Sequence, residues 1–214
     1  TEPVDRLRCY PGADAAHFLG DAEDWLKRGF WLAGWFDYDF GGLLEEKLAF
    51  DRATTAAPTA LADLGVYRQP YIYDHAVGSG DLPDGPRPAT LPGWRIDGLQ
   101  PNVGRAEYLQ AIRRLRDYIA AGDTYQVNYT LKLLFSWSGS AEALYRDLRH
   151  NQTVPFGAYI RRDDERILSF SPELFFRRDG RHLTVRPMKG ASRRGRTAAE
   201  DRDLCAALAR DPKN

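Results

Sequence analysis

Lys189 is the residue in this sequence best placed for covalent chemistry, within the segment Arg186-Pro187-Met188-Lys189-Gly190. The preceding run, Leu183-Thr184-Val185, predicts a short strand. Pro187 should end that strand, because proline lacks a backbone donor and restricts the preceding residue to extended geometry. Lys189 would then lie just beyond a strand end, where a rigid sheet positions a side chain and a loop leaves room for substrate.

A lysine acts as a nucleophile or a base only when its amine is neutral. Burial or nearby cations favour the neutral form by lowering the pKa of the amine. The cations that could do this are four arginines: Arg186, Arg193, Arg194 and Arg196. The spacing alone leaves open the alternative that Lys189 is an ordinary solvated lysine in a basic loop.

Glu173 is the second candidate and lies between two segments with strand patterns, residues 166–170 and 174–178. Downstream, Asp179-Gly180-Arg181 separates residues 174–178 from residues 182–186, and Asp-Gly between strand patterns is a strong hairpin signal. A hairpin brings its outer ends together, so the acid of Glu173 and the amine of Lys189 should face the same cavity. The alternative is that Glu173 is a loop carboxylate paired with an arginine.

Gln126 is the third candidate and follows the clearest helix pattern in the chain. Residues 105–121 have apolar side chains at helical spacing, with Asn102 able to cap the helix and Gly122 at its end. Residues 125–136 then alternate between apolar and polar side chains, which predicts a strand with one core face. Gln126 belongs to the polar face, and such a face is usually turned to solvent.

The other patterns predict a mixture of helices and strands. Residues 30–38 are aromatic and apolar almost throughout, which favours a strand buried on both faces. Glycine and proline recur through residues 77–101, which predicts a linker or surface excursion without a helix or a central strand. The remaining predictions are helices at 13–28, 141–150 and 197–210, and strands at 61–67, 71–75, 156–160 and 166–170.

The composition is that of a globular protein, since 43% of the 214 residues are hydrophobic and 12% are aromatic. Thirty basic and thirty acidic residues cancel, so no global charge favours nucleic acid or an anionic membrane. Cys9 and Cys205 give no disulfide framework, and no apolar run has membrane length, so a cytoplasmic protein is expected. The sequence shows no metal-ligand spacing, no Walker loop, no dinucleotide fingerprint and no nucleophile elbow.

Three motifs, in this order and spacing, resemble those of the chorismate-utilising enzymes. They are Gly122-Asp123-Thr124-Tyr125-Gln126-Val127-Asn128, Ser169-Phe170-Ser171-Pro172-Glu173-Leu174-Phe175 and Arg186-Pro187-Met188-Lys189-Gly190. That family includes the synthase components of anthranilate, aminodeoxychorismate, isochorismate and salicylate formation. The resemblance is strong over most of residues 102–214 and weaker over residues 29–79.

The resemblance implies an α+β fold in which antiparallel β-sheets pack face to face with helices outside. Residues 1–214 would be the N-terminal part of a single chorismate-binding domain, with the catalytic region starting in residues 102–214. The family continues well past the position of Asn214, and its magnesium-binding glutamates lie in that continuation. The resemblance therefore implies a chain that is incomplete at its C-terminus, with magnesium (Mg2+) as cofactor and its ligands beyond Asn214.

Two positions separate the members of the family. Isochorismate and salicylate synthases carry a water-activating lysine where this chain has Gln126, so the resemblance implies addition of ammonia. Anthranilate synthases usually carry alanine where this chain has Lys189. Glutamine with lysine is the combination of aminodeoxychorismate synthase component I. It implies conversion of chorismate and ammonia to 4-amino-4-deoxychorismate for p-aminobenzoate and folate synthesis, with ammonia supplied by a glutamine amidotransferase subunit.

The resemblance assigns the catalytic roles to Lys189 and Glu173. Lys189 would attack C2 of the chorismate ring while Glu173 protonates the departing C4 hydroxyl, and ammonia would then add at C4 and expel the lysine. Gln126, Gly190 and Ala191 are the substrate-binding candidates. The family usually has threonine where this chain has Ala191, so the hydroxyl of that threonine is missing here.

Two other interpretations are compatible with the same sequence. One is an anthranilate or 2-amino-2-deoxyisochorismate synthase that carries lysine at position 189. The other is a non-catalytic subunit that only docks an amidotransferase.

Overall fold

The computed structural model describes residues 2–45, 47, 59–82, 91–187 and 190–211. The chain forms two compact units, Thr1–Arg87 and Pro88–Asn214, and each is described by itself. The boundary between the units lies inside the glycine- and proline-rich segment 77–101. The assignment of residues 1–214 to a single domain stays a prediction.

The first unit contains a three-stranded antiparallel sheet with strands β1 (Asp5–Cys9), β2 (Trp31–Phe36) and β3 (Ala62–Tyr67). The strand order is β1-β3-β2, so β3 is central. β3 is buried along most of its length, and its apolar side chains pack with those of helix α1 (Ala15–Lys27). The buried cluster consists of Cys9, Ala15, Phe18, Ala22, Phe40, Leu61, Ala62 and Leu64.

Residues 30–38 contain a strand, as predicted, but the prediction that it is buried on both faces is wrong. β2 is an edge strand of the described sheet, and Trp31 and Phe36 are about half exposed. The strand stops at Asp37, whose side chain accepts the Asp39 N–H at 3.0 Å and caps a 3-10 helix, Tyr38–Leu43. The buried strand is β3, because a central strand has a neighbour along each edge.

β3 carries a buried carboxylate, Asp63, which is only 4% exposed. Arg8 lies opposite it on β1 and donates from Nε to Asp63 Oδ2 at 3.0 Å. Arg6 Nε lies 3.6 Å from Asp63 Oδ1. These two cations offset the cost of removing the carboxylate from water. The ion pairs therefore help to hold β1 and β3 in one register.

Helix α1 confirms the helix predicted at 13–28. Its first turn is capped by Asp14, whose Oδ1 accepts the N–H groups of Ala16 at 2.8 Å and His17 at 3.1 Å. The strand predicted at 71–75 is shorter than expected. It is the two-residue β4 (Tyr73–Asp74), which pairs with β5 (Ser79–Gly80).

The second unit combines antiparallel strand pairs with helices. Its described strands are β6 (Trp94–Pro101), β7 (Leu133–Gly139), β8 (Phe156–Arg162), β9 (Glu165–Ser171), β10 (Leu174–Asp179) and β11 (His182–Arg186). Its described helices are α2 (Arg105–Ala121), α3 (Ala141–Asn151) and α4 (Ala198–Ala209). β6 pairs with β7, β8 with β9 and β10 with β11, all antiparallel. The α+β class with antiparallel sheets is confirmed.

Helix α2 has the predicted bounds, but its predicted cap is wrong. Gly104, and not Asn102, is the N-cap residue. Asn102 instead pairs with Lys132: its side-chain oxygen accepts the Lys132 N–H at 2.8 Å, and its own N–H donates to the Lys132 carbonyl at 2.8 Å. Asn102 therefore joins the chain entering α2 to the chain entering β7.

The strand predicted for residues 125–136 begins much later than expected, because β7 starts only at Leu133. Tyr125, predicted to lie in the core, is 88% exposed. The partner strand explains the difference. β7 pairs with β6, which ends at Pro101 opposite Leu133. Residues 125–132 alternate between apolar and polar side chains, but they form no strand in the described structure because β6 offers them no partner.

β6 lies inside the segment that the sequence predicts to be a linker. Gly98 and Pro101 disrupt the strand pattern in the sequence, and for that reason the strand was not predicted. In the structure Gly98 has φ +66 and lies where the register shifts between Asp97 and Gln100. Such a bulge is tolerated in an edge strand, where only one neighbour requires regular pairing.

The longest described helix, α2, has 17 residues. No described helix combines the length and the apolar character needed to cross a membrane.

We expect Gly34→Ala to lower the free energy of unfolding by roughly 1–3 kcal/mol, the usual cost of overpacking. Gly34 lies on β2 opposite Leu64, and a β-carbon there would lie 1.9 Å from the main-chain oxygen of Asp63, so the strands would have to shift. Gly20→Ala on α1 is the control, since its β-carbon meets open space and alanine favours helix. Urea unfolding measures both variants, and an unchanged midpoint for Gly34→Ala would contradict the prediction.

Candidate functional site

Ser171 and Glu173 form a tight corner between β9 and β10. The Glu173 N–H donates to Ser171 Oγ at 3.2 Å, and Ser171 Oγ donates to the Glu173 carbonyl at 3.0 Å. Ser171 is itself part of β9 and lies opposite Phe156 on β8. The backbone of Glu173 is therefore tied to a strand pair, as a positioned acid requires.

The hairpin of β10 and β11 forms around its predicted turn. Leu174 lies opposite Arg186, so the residues on either side, Glu173 and Pro187, come to the same open end of the hairpin. Both belong to the lining of one open surface cavity of about 490 Å³. The described residues that line this cavity are Ser171, Glu173, Leu174, Phe175, Val185 and Pro187.

Lys189, with Met188, lies outside the described residues. Its two neighbours in the described chain are Pro187, at the cavity, and Gly190, which has φ +61. That left-handed conformation favours glycine over any residue with a side chain. The proximity of the Lys189 amine to Glu173 stays a prediction, although the strand end before the lysine is where the sequence predicts it.

Gln126 and Ala191 are both exposed. Gln126 lies in the irregular segment between α2 and β7, where its carbonyl accepts the Thr124 hydroxyl at 3.1 Å. It is therefore not on the polar face of a strand, as the sequence predicts. The described residues around the Glu173 cavity all belong to the segment 171–187, and Gln126 is not among them. The substrate-binding roles of Gln126, Gly190 and Ala191 stay predictions.

Two of the four candidate cations are engaged with carboxylates of helix α4. Arg193 Nη2 lies 2.5 Å from Glu200 Oε1. Arg194 binds Asp201 with two parallel hydrogen bonds, of 2.9 Å from Nε and 2.7 Å from Nη2. The carboxylates therefore largely offset the positive charges of Arg193 and Arg194. This weakens the hypothesis that these two arginines lower the pKa of Lys189.

The same contacts lower the pKa of both carboxyl groups. The pKa of Glu200 is lowered first by the Arg196 N–H and then by Arg193, and that of Asp201 by the Gly195 N–H and by Arg194. A carboxyl group whose folded-state pKa is lowered stabilises the fold above its unfolded pKa. The contacts are therefore fully formed at neutral pH and are lost only as the pH falls through the lowered values.

No group of three or more histidine, cysteine, aspartate or glutamate side chains in the described part of the chain could hold a metal ion. The described residues thus do not fit a magnesium site. Magnesium stays a prediction, and no chemical step below passes through it.

The roles of Ser171, Glu200 and Asp201 are not predicted from the sequence. A signal for Glu200 is present, because Thr197 precedes it by three residues in the pattern of a capping box. Thr197 Oγ1 accepts the Glu200 N–H at 3.2 Å. Nothing in the sequence indicates that the serine hydroxyl binds both main-chain groups of Glu173.

The family model for chorismate binding enzyme matches residues 4–214. Anthranilate synthase component 1 of Thermus thermophilus is 39% identical over 132 residues, which cover 60% of this chain and 28% of that protein. Aminodeoxychorismate synthase component 1 of Salmonella typhimurium is 30% identical over 196 residues, covering 85% of this chain and 42% of that protein.

A third relative, aminodeoxychorismate synthase component 1 of Bacillus subtilis, is 35% identical over 106 residues, covering 50% of this chain and 23% of that protein. The matched part of this chain therefore spans less than half the length of each of these relatives. One of these relatives is named anthranilate synthase and two are named aminodeoxychorismate synthase. The similarity therefore does not distinguish between these two activities for this chain.

We expect Ser171→Ala to speed hydrogen exchange at the Glu173 amide about fivefold, because the amide loses a hydrogen bond worth about 1 kcal/mol. Ser138→Ala is the matched control, since Ser138 lies on β7, away from the β9–β10 corner. Exchange followed by NMR or mass spectrometry measures the effect. Equal exchange at Glu173 in the two variants would show that the hydroxyl does not hold the corner.

Proposed function

Because the chain belongs to the chorismate-binding enzyme family, we propose that it carries the catalytic lysine and acid of an aminodeoxychorismate synthase component I. The reaction converts chorismate and ammonia to 4-amino-4-deoxychorismate and water, for p-aminobenzoate and folate synthesis. The observation that supports this most directly is the hairpin that brings Glu173 to the end of β11. Lys189 follows that end by three residues.

In the proposed reaction the neutral amine of Lys189 attacks C2 of the chorismate ring. The ring double bonds shift, and the C4 hydroxyl leaves as water after Glu173 donates a proton to it. Ammonia then adds at C4, the double bonds shift back and the C2–nitrogen bond to lysine breaks. The added ammonia gives up one proton to the Glu173 carboxylate, so the acid and the neutral lysine are both regenerated.

The corner around Ser171 supports the proposed role of Glu173. A general acid must meet the leaving oxygen within hydrogen-bond reach, which requires a fixed backbone. The two hydrogen bonds between Ser171 and Glu173 supply that constraint. The open cavity beside Glu173 leaves room for a substrate ring.

The substrate contacts in this proposal come from three residues. Gln126 would contact the bound substrate and would not act as a base, which favours ammonia over water as the added group. Gly190 lets the backbone approach the substrate, and its left-handed φ supports the need for glycine there. Ala191 contributes only its backbone, and the neighbouring Ser192 is the nearest hydroxyl in the chain.

The proposed partner is a glutamine amidotransferase subunit that supplies ammonia. The relatives are each named component 1, which supports a second component in the working enzyme. Magnesium is the proposed cofactor, and it would neutralise and orient the substrate carboxylate.

An anthranilate synthase is the second candidate, because the Thermus thermophilus relative of that name shares 39% identity over 132 residues. The two activities differ in the ring position that is aminated. Lys189 favours amination at C4, whereas alanine at that position is usual in anthranilate synthases.

The test uses the protein expressed from its complete gene. It is incubated with chorismate, magnesium and ammonium at mildly alkaline pH, with and without aminodeoxychorismate lyase. We expect a chorismate amination product that the lyase converts to p-aminobenzoate. Fluorescent anthranilate as the sole product would establish the second candidate, and intact chorismate would favour a subunit that only docks an amidotransferase.

We expect Lys189→Ala to reduce turnover to background, because no covalent adduct can form. Glu173→Gln should lower kcat by on the order of 10²–10⁴-fold, since the amide cannot protonate the leaving hydroxyl. Glu107→Gln makes the same chemical change on exposed helix α2 and should leave kcat unchanged. Steady-state rates measure all three, and unchanged turnover in Lys189→Ala would remove the nucleophile assignment.

A further inference from the structure

One side of helix α3 carries a concentration of exposed positive charge. Arg146, Arg149 and His150 are three and four residues apart, so they lie on the same side of the helix. They line an open surface cavity of about 560 Å³ together with Thr153 and Val154. Among the described residues, no carboxylate pairs with Arg149. The charge of Arg149 is therefore available to a binding partner.

A second open cavity, of about 420 Å³, shares Arg146 and His150 with the first. Its lining includes Trp94, the first residue of β6, which is 37% exposed. The indole Nε1 of Trp94 donates to Asp147 Oδ2 at 2.8 Å, and this bond holds the ring against α3. We call the surface formed by Trp94, Arg146, Asp147, Arg149 and His150 the α3 face.

The α3 face is built on a packed part of the second unit. Leu144, on the other side of the helix, is buried, and Tyr145 stacks on Phe170 of β9 with 5.1 Å between the ring centroids. Ser140 caps the first turn, since its hydroxyl oxygen accepts the Ala143 N–H at 3.1 Å. A partner would therefore meet a surface that is already ordered, which lowers the entropic cost of binding.

The composition of the α3 face fits a protein partner. Tryptophan and arginine are the residue types enriched among the side chains that contribute most to protein–protein binding. Trp94 offers a fixed apolar surface, and Arg149 offers an unpaired charge beside it. An acidic protein surface with an exposed apolar group complements both features.

A nucleic acid fits the α3 face less well. Asp147 lies within it, 3.3 Å from Arg146. The pKa of Asp147 is lowered, first by the Trp94 N–H and then by Arg146, so its carboxylate is charged at neutral pH. That charge would repel a phosphate backbone, and thirty basic and thirty acidic residues leave the chain without a net attraction for polyanions.

We propose that the α3 face binds an acidic surface of the ammonia-supplying amidotransferase subunit. This inference rests on the proposed function, which supplies the partner. Arg149 pairs with a carboxylate of that subunit, and Trp94 packs against an apolar side chain beside it. Arg146 contributes less, because Asp147 already offsets its charge. Arg149 is therefore the residue whose replacement tests the interface most directly.

The first experiment measures binding. The enzyme expressed from its complete gene is titrated with the amidotransferase subunit of the same organism, by calorimetry. We expect Arg149→Glu to raise Kd at least about tenfold, because it brings like charges together across the interface. Arg116→Glu is the matched control: it makes the same change on the exposed side of helix α2 and should leave Kd unchanged.

The second experiment separates docking from chemistry. Chorismate amination is measured once with ammonium and once with glutamine plus a limiting amount of the amidotransferase subunit. We expect Arg149→Glu to keep the ammonium-dependent rate of the parent and to lose at least about tenfold of the glutamine-dependent rate. Arg116→Glu should keep both rates.

A second variant guards against loss of structure. Arg149 lies in the last turn of α3, where the helix dipole favours positive charge, so a glutamate there also weakens the helix. Arg149→Ala removes the cation without adding an acid, and we expect it to raise Kd by a smaller factor than Arg149→Glu. Melting curves of both variants show whether they stay folded at the temperature of the titration.

Each outcome has one meaning. A raised Kd in both Arg149 variants, with the ammonium-dependent rate retained, supports the inference. Equal Kd values in Arg149→Glu and Arg116→Glu overturn it. So does binding of a labelled single-stranded RNA oligonucleotide that depends on Arg149 while the amidotransferase affinity does not. A parent enzyme that uses ammonium but does not bind the amidotransferase overturns only this inference, whereas a parent without any amination product overturns the proposed function.

Discussion

The antiparallel pairing of β10 with β11 is the constraint on which the candidate site depends. Backbone hydrogen bonds between these strands determine which residues face each other, and they place Leu174 opposite Arg186. Glu173 and Pro187 are thereby brought to one end of the hairpin. Any chemistry that needs an acid and a lysine at this end relies on a register set by the turn at Gly180 and by the bulge between Leu174 and Arg177.

The two sides of this hairpin end are held by different means. Before β10, the hydroxyl of Ser171 closes a corner on the main chain of Glu173. After β11, the carboxylates of α4 hold the basic loop by its arginines and by its main chain. An acid and a loop with a proposed nucleophile are therefore each tied to regular structure. Such support is what a site needs when its chemistry depends on alignment.

The ion pairs of Arg193 and Arg194 with helix α4 also change the electrostatic account of the lysine. Arginines near an amine lower its pKa only when their charge is not offset by closer anions. Arg193 and Arg194 are paired with Glu200 and Asp201, so they contribute little at a distance.

The sequence by itself determined the features that depend on local chemistry. Helical spacing gave the bounds of α2, Asp-Gly gave the hairpin turn, and three motifs indicated the family. Tertiary structure decided the features that depend on a partner strand. β6 pairs with β7 despite Gly98 and Pro101. Residues 125–132 form no strand because β6 ends at Pro101, opposite Leu133. The contact of Asp201 with Gly195 was likewise decided only when a loop folded onto a helix. Local patterns record what a segment prefers, but pairing and packing depend on residues far away in the sequence.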